Sequence, residues 1–198
     1  ERIREYAKII AQELAKNIKY RNVITLDYIE DIYQSSILHD IGKVGTPDAL
    51  LLKPGELNDE EFTIIKRHTI MGGNALKAIE SQIEGKSFLA MGKEIAYNHN
   101  EKWDGSGYRR GLKAEAIPLS TRIIAVADVY DALTTKRFYK EAYSHEKAKT
   151  MVIRLKGKHF DPDIVEAFIA IEAEFNRVRK EKLKEETAIP HQQLQAAN

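Results

Sequence analysis

An all-α domain is what the sequence predicts, on three observations. Apolar residues recur at three- and four-residue steps in successive stretches, N-capping residue types precede several of them, and no apolar–polar alternation lasts long enough for a strand. Ile3, Ala7, Ile10, Leu14 and Ile18 mark a first amphipathic helix, already running at the first residue. A second follows Thr25 and carries Ile29, Ile32, Ser36 and Ile37 toward His39, with Gly42 expected to end it. Asn58 caps a third, whose first turn is acidic (Asp59, Glu60, Glu61) and on which Phe62, Ile65, His68 and Gly72 share a face. Ser87 is expected to cap the helix of Leu89, Met91, Ile95 and His99. Residues 100–118 break the pattern with Gly105, Gly107 and Gly111, which predicts an ordered loop; one this long inside a compact domain is often functional. Ile123, Ile124, Ala127, Tyr130 and Ala132 then predict a helix over 119–134, buried on much of its circumference, with Asp128 and Asp131 inside it. Ser144 begins another that ends near Gly157. Asp161 caps the last, with Pro162 at its first position ahead of Val165, Phe168, Ile169 and Phe175.

The 198 residues suit one domain with a core that needs no disulfide. Residues 1–175 form that domain in this reading, and 176–198 a charged helical end with a polar tail. With 31 basic and 30 acidic residues, overall charge points to neither a nucleic-acid polymer nor a membrane surface, so any anion site must be local. No apolar run approaches the roughly 18 residues that span a bilayer, and a cytoplasmic location is expected. The chain opens at Glu1, in a helix already under way, so an upstream domain, regulatory in kind, is expected in the complete protein.

Five residues carry the chemistry: His39, Asp40, His68, His99 and Asp128. Imidazole nitrogens and carboxylate oxygens can hold a divalent ion and leave positions open for water and a phosphate oxygen; the absence of cysteine removes any thiolate alternative. Adjacent helical side chains diverge by about 100°, so His39 and Asp40 can address one ion only from a helix end. Each residue also has a plainer reading. His39-Asp40 could be a helix C-terminus followed by a turn, and His68 or His99 a hydrogen-bonded core histidine. Asp128, within Ile123–Val129, is harder to explain, because an unpaired buried carboxylate costs several kcal/mol; a cation or a nearby arginine would satisfy it.

The segments H-D-I-G-K-V-G-T-P-D (39–48), K-P-G-E-L (53–57), H-N-E-K-W-D-G-S-G-Y (99–108), A-D-V-Y-D-A-L-T (127–134), R-F-Y-K (137–140) and F-D-P (160–162), in this order, resemble the HD-GYP family. The resemblance implies an HD-superfamily helical fold and metal-dependent hydrolysis of the bacterial second messenger cyclic di-GMP to pGpG or GMP. It makes His39, Asp40 and Asp128 ligands of one metal, with Asp40 bridging to a second that His68 and His99 also hold. Two divalent transition-metal ions are implied, iron or manganese ahead of nickel or zinc. Lys43 would add a positive contact near the reacting phosphate, and Tyr108, Arg137 and Lys140 match positions that contact the dinucleotide. Trp103 is read as an anchor of the loop.

Three departures stand out. Asn100 occupies the place of a second consecutive histidine and could offer a weak amide oxygen. Arg109 replaces the proline of Gly-Tyr-Pro. The first-helix histidine of many members falls ahead of Glu1. A catalytically degenerate cyclic di-GMP receptor, a signalling module with a protein partner, and a hydrolase of another cyclic dinucleotide are therefore carried as alternatives.

Overall fold

The computed structural model describes residues 2–83, 88–136 and 141–195, with side chains described through 185. Among these residues it has nine α-helices and no strand: α1 (Arg2–Leu14), α2 (Leu26–Ser35), α3 (Asp48–Leu51), α4 (Asp59–Lys66), α5 (His68–Glu80), α6 (Phe88–Asn98), α7 (Leu119–Thr134), α8 (His145–Arg154) and α9 (Pro162–Gln195). Short 3₁₀ turns cover Ser36–Leu38, Ile41–Gly45 and Ala114–Ala116.

The apolar stripe of α1 packs against α2, α7 and α9. Tyr6 stacks on Phe175 with centroids 4.5 Å apart and meets Tyr130 edge-on at 5.2 Å, so three aromatic rings join α1, α7 and α9 in the core. Such rings supply most of the burial energy of a small helical core, at about 25 cal/mol per Å² removed from water. Arg2 closes the other end of this contact through Asp131, 2.6 Å away, and the Thr135 hydroxyl at 2.8 Å. Asp131 thus has an arginine partner.

Several predicted caps are present. The Thr25 hydroxyl accepts the Tyr28 amide, Asn58 and Glu61 form a reciprocal capping box, and the Ser144 hydroxyl accepts the Lys147 amide. Buried Asp161 accepts the Asp163 amide at 2.8 Å while binding Arg122 at 2.6 Å, which ties the start of α9 to α7.

Other expectations need correction. Helix α1 ends at Leu14; Asn17 makes a local turn by accepting the Lys19 amide, and Ile18 is 75% exposed. The single helix expected after Asn58 is two, α4 and α5, divided at Arg67. Gly42 does not terminate α2, which stops at Ser35. Apart from these corrections, helix α9 carries the chain without a break from the core into its charged helical end, with Val178 still buried. Ser87 lies outside the described residues.

Candidate metal centre

The segment after α2 makes two consecutive 3₁₀ turns with Asp40 at the junction, its backbone at φ −102° and ψ 10°. That irregular junction lets adjacent His39 and Asp40 turn into one cavity, which a regular helix would forbid. The same segment crosses the start of α5 at Gly42 and Gly72, where the two backbones touch. His68 is the first residue of α5, and His99 follows the last residue of α6 with its amide still bonded to the Ile95 carbonyl.

The structure brings these side chains together. One Asp40 oxygen, Oδ1, lies 3.5 Å from Nε2 of both His68 and His99, and the two imidazole nitrogens are 3.2 Å apart. The other, Oδ2, lies 3.3 Å from His39 Nε2 and 2.6 Å from Lys43 Nζ. His39 Nε2 is 3.8 Å from Asp128 Oδ1. Asp128 is not the buried carboxylate expected from its apolar neighbours: its side chain is 37% exposed, on the edge of α7 that opens toward His39.

All three histidines direct Nδ1 at backbone carbonyls: His39 to Ser36 at 2.7 Å, His68 to Ile65 at 2.6 Å, and His99 to Ile95 and Ala96 at 3.3 and 3.2 Å. A carbonyl only accepts, so Nδ1 carries the proton and each Nε2 presents a lone pair to the cavity, the tautomer a metal requires. Two such lone pairs facing each other at 3.2 Å repel unless a cation or a donor stands beside them. Asp40 Oδ1, buried, has no hydrogen-bond partner of its own among the described residues. Orphaned buried oxygens are costly, and a divalent ion would relieve the oxygen and both nitrogens at once. The donor set fits such an ion.

Electrostatics agree with a preformed anionic site. Burial opposes ionisation of Asp40, but the Lys43 ammonium, and the imidazoles of His39 and His99 whenever they carry a proton on Nε2, outweigh it and hold the carboxyl well below its usual range. Burial pushes His68 down, so it stays neutral at neutral pH. Burial also lowers His39, yet Asp40 and Asp128 outweigh it and leave its pKa raised.

The Asn100 amide lies 2.7 Å from His99 Nε2 and 3.5 Å from His68 Nε2. With Nδ2 on that side it donates to the lone pair a metal would use; with the amide turned, its oxygen faces the same point. Half-buried Tyr108 stands over the site, its hydroxyl pushed up to about 12 by burial and by the Asp40 and Asp128 carboxylates. Arg137 and Lys140 lie outside the described residues.

The loop that carries Tyr108 depends on a residue that sequence reasoning passed over. Glu101 is buried and accepts the amides of Arg110 at 2.5 Å and Leu112 at 3.0 Å, folding the loop back on itself. Its only signal was a carboxylate set between two motif histidine positions and the glycines. A Cβ on Gly107 would stand 2.3 Å from the Lys102 amide, so only glycine fits this closure. At Trp103 the loop is tied down through the main chain, its amide donating to the His159 carbonyl at 3.1 Å, and the Arg122 guanidinium lies 5.8 Å from the centroid of its ring. Arg109 and Arg110, with Tyr97, line a cavity of about 270 Å³ that does not include the histidines.

Fold and site together define an all-helical histidine–aspartate domain. An HD domain family model matches residues 1–164. The chain belongs to the HD domain family. It is 53% identical over 174 residues to a cyclic di-GMP phosphodiesterase of Vibrio cholerae, covering 88% of this chain and 35% of that protein. It is 46% identical over 195 residues to a probable cyclic di-GMP phosphodiesterase of the same organism, covering 98% and 44%. The chain thus spans less than half the length of these relatives. An HDG"Y"P protein from Bdellovibrio bacteriovorus superposes with a TM-score of 0.59 at 20% identity, over 85% of this chain and 51% of that one, a likeness of fold. Membership in the HD domain family implies divalent-metal binding. No helix among the described residues is long and apolar enough to cross a membrane.

Proposed function

We propose that this chain is a metal-dependent phosphodiesterase that hydrolyses cyclic di-GMP to pGpG or GMP. The observation that carries the reading is Asp40 Oδ1, unpartnered and equidistant from two imidazole nitrogens, with His39 at the other oxygen of the same carboxylate and Asp128 beyond His39. The named activity of the Vibrio cholerae relatives supports the choice of substrate.

In this reading His39, Asp40 and Asp128 hold one ion and His68, His99 and Asp40 a second, with iron or manganese preferred over nickel or zinc. When bound, two such ions supply Lewis-acid charge neutralisation and activation of water for in-line attack on a phosphate. The chain's own groups do the rest. The Nδ1–carbonyl bonds fix the tautomers, so that each neutral ring already turns Nε2 to the cavity. Lys43, held on Asp40 Oδ2, places positive charge beside the reacting phosphate. Tyr108, protonated at neutral pH, offers a hydroxyl donor and a ring face to the dinucleotide. Arg137 and Lys140 are further dinucleotide contacts in the proposal, and Asn100 a weak amide ligand. Action in the cytoplasm and control by an adjoining regulatory domain or signalling partner complete it.

The receptor alternative rests on Asn100, whose amide stands where a second imidazole would strengthen metal binding. The test is to load the purified chain with manganese or ferrous iron, measure metal per chain, and follow cyclic di-GMP by chromatography, with other cyclic dinucleotides alongside. Linear pGpG or GMP supports the enzyme. Binding without product establishes the receptor, and turnover confined to another cyclic dinucleotide reassigns the substrate.

A further inference from the structure

Lysines around the site fall into two kinds. Lys43 is bound to Asp40, and Lys53 to Glu61 at 2.6 Å, so their charges are answered within the protein. Lys66, on the last turn of α4, has no carboxylate partner among the described residues. Its ammonium lies 4.3 Å from the centroid of the Phe62 ring and 5.5 Å from that of Tyr108. The two rings meet edge to face, 5.8 Å apart at 84°, and form a corner around the cation. Phe62 is 40% exposed and Lys66 only partly buried, so an anion can reach this corner from solvent.

Ring faces hold an ammonium more weakly than a charge-assisted hydrogen bond to phosphate does. A lysine pinned this way keeps few conformations to lose and little desolvation to overcome when an anion arrives. Tyr108 links the corner to the metal-binding residues, since its amide donates to the Asn100 carbonyl at 3.1 Å and the Asn100 side-chain amide lies 2.7 Å from His99 Nε2. A cyclic dinucleotide carries two phosphates. One would lie at Asp40 beside Lys43, and the other needs a cation of its own.

We propose that Lys66 binds the second, uncleaved phosphate of the dinucleotide, and that Phe62 is a positioning residue that holds Lys66 and Tyr108 in register. This rests on the cyclic-dinucleotide reading of the same site. The ligand class is therefore a diester with two phosphates spaced on one ring, and an ester with a single phosphate gains little from Lys66.

The test compares wild type, Lys66→Met, Lys66→Arg and Phe62→Leu, all manganese-loaded, with cyclic di-GMP and with bis(p-nitrophenyl) phosphate, which has one phosphate. Methionine keeps the stem on the rings and removes the charge. For cyclic di-GMP, Lys66→Met should raise KM by about tenfold with kcat within about twofold, and arginine should restore most of it. The KM change with the single-phosphate ester should be several times smaller. Phe62→Leu should raise KM in the same direction by a lesser factor. Equilibrium binding of cyclic di-GMP is measured alongside, so that a chain that binds without turnover still reports on Lys66 through Kd. An unchanged KM and Kd in Lys66→Met, or equal losses with both esters, overturns the proposal and leaves the site assignment standing. A wild-type chain that neither binds nor cleaves cyclic di-GMP while cleaving the simple ester overturns the dinucleotide reading itself.

Discussion

Gly42 and Gly72 touch backbone to backbone: a Cβ on Gly42 would stand 1.9 Å from the His68 carbonyl oxygen and 2.4 Å from the Gly72 amide nitrogen. This crossing sets the distance between Asp40, two residues before Gly42, and His68, the first residue of α5. Atoms at 1.9 Å cannot be accommodated by a side-chain rotation, because both neighbours are main chain. Gly42→Ala should therefore destabilise the fold by about 3 kcal/mol and separate the metal-binding residues. Urea denaturation gives the first quantity, and metal content of the folded fraction the second; wild-type values for both would show that the crossing does not position the site.

Asp40 reaches His39, Lys43, His68 and His99 through its two oxygens. Asp40→Ala should lose most bound metal and reduce hydrolysis by more than about a hundredfold, because neither set of imidazoles keeps its shared carboxylate. Elemental analysis beside the activity assay checks this, and retained turnover would contradict the mechanism.

Asn100→His should raise metal occupancy at the site of His68 and His99. The amide lies within 2.7–3.5 Å of both Nε2 atoms, so an imidazole there would face the same point with a stronger donor. Unchanged stoichiometry would mean that the new ring turns away.

Glu101→Gln should loosen the signature loop. The carboxylate answers two amides from within the fold, and a neutral amide offers one oxygen and a misplaced donor, at a cost of about 1–3 kcal/mol. Faster amide hydrogen exchange at Arg110 and Leu112 would report it, with a weaker hold on cyclic di-GMP through Tyr108.

His159 couples this loop to pH. Burial, with Lys102 adding to it, pushes its pKa from 6.5 down to about 4, while its carbonyl binds Trp103. The unfolded chain takes up the proton first as pH falls, so unfolding free energy decreases between pH 6.5 and about 4, by roughly 2–3 kcal/mol at most, and no further below. In His159→Gln the pH dependence over this window should shrink by that amount in denaturation curves at pH 7 and 4.5.

The sequence by itself determined the helical class and several helix starts, because 3.6-residue periodicity and capping residues act locally: Thr25, Asn58, Ser144 and Asp161 each satisfy orphan amides within their own first turn. It also named the residues that meet around Asp40, through their order and type. Only the tertiary structure decided how they meet. The split of one apolar pattern into α4 and α5 at Arg67, the exposure of Asp128, the part played by Gly42 and the folding of the loop around Glu101 all depend on contacts between segments distant in sequence. Periodicity reports which face of a helix is apolar. It carries no information on how closely two backbones approach or which way a carboxylate turns, and at this site those distances decide whether lone pairs converge.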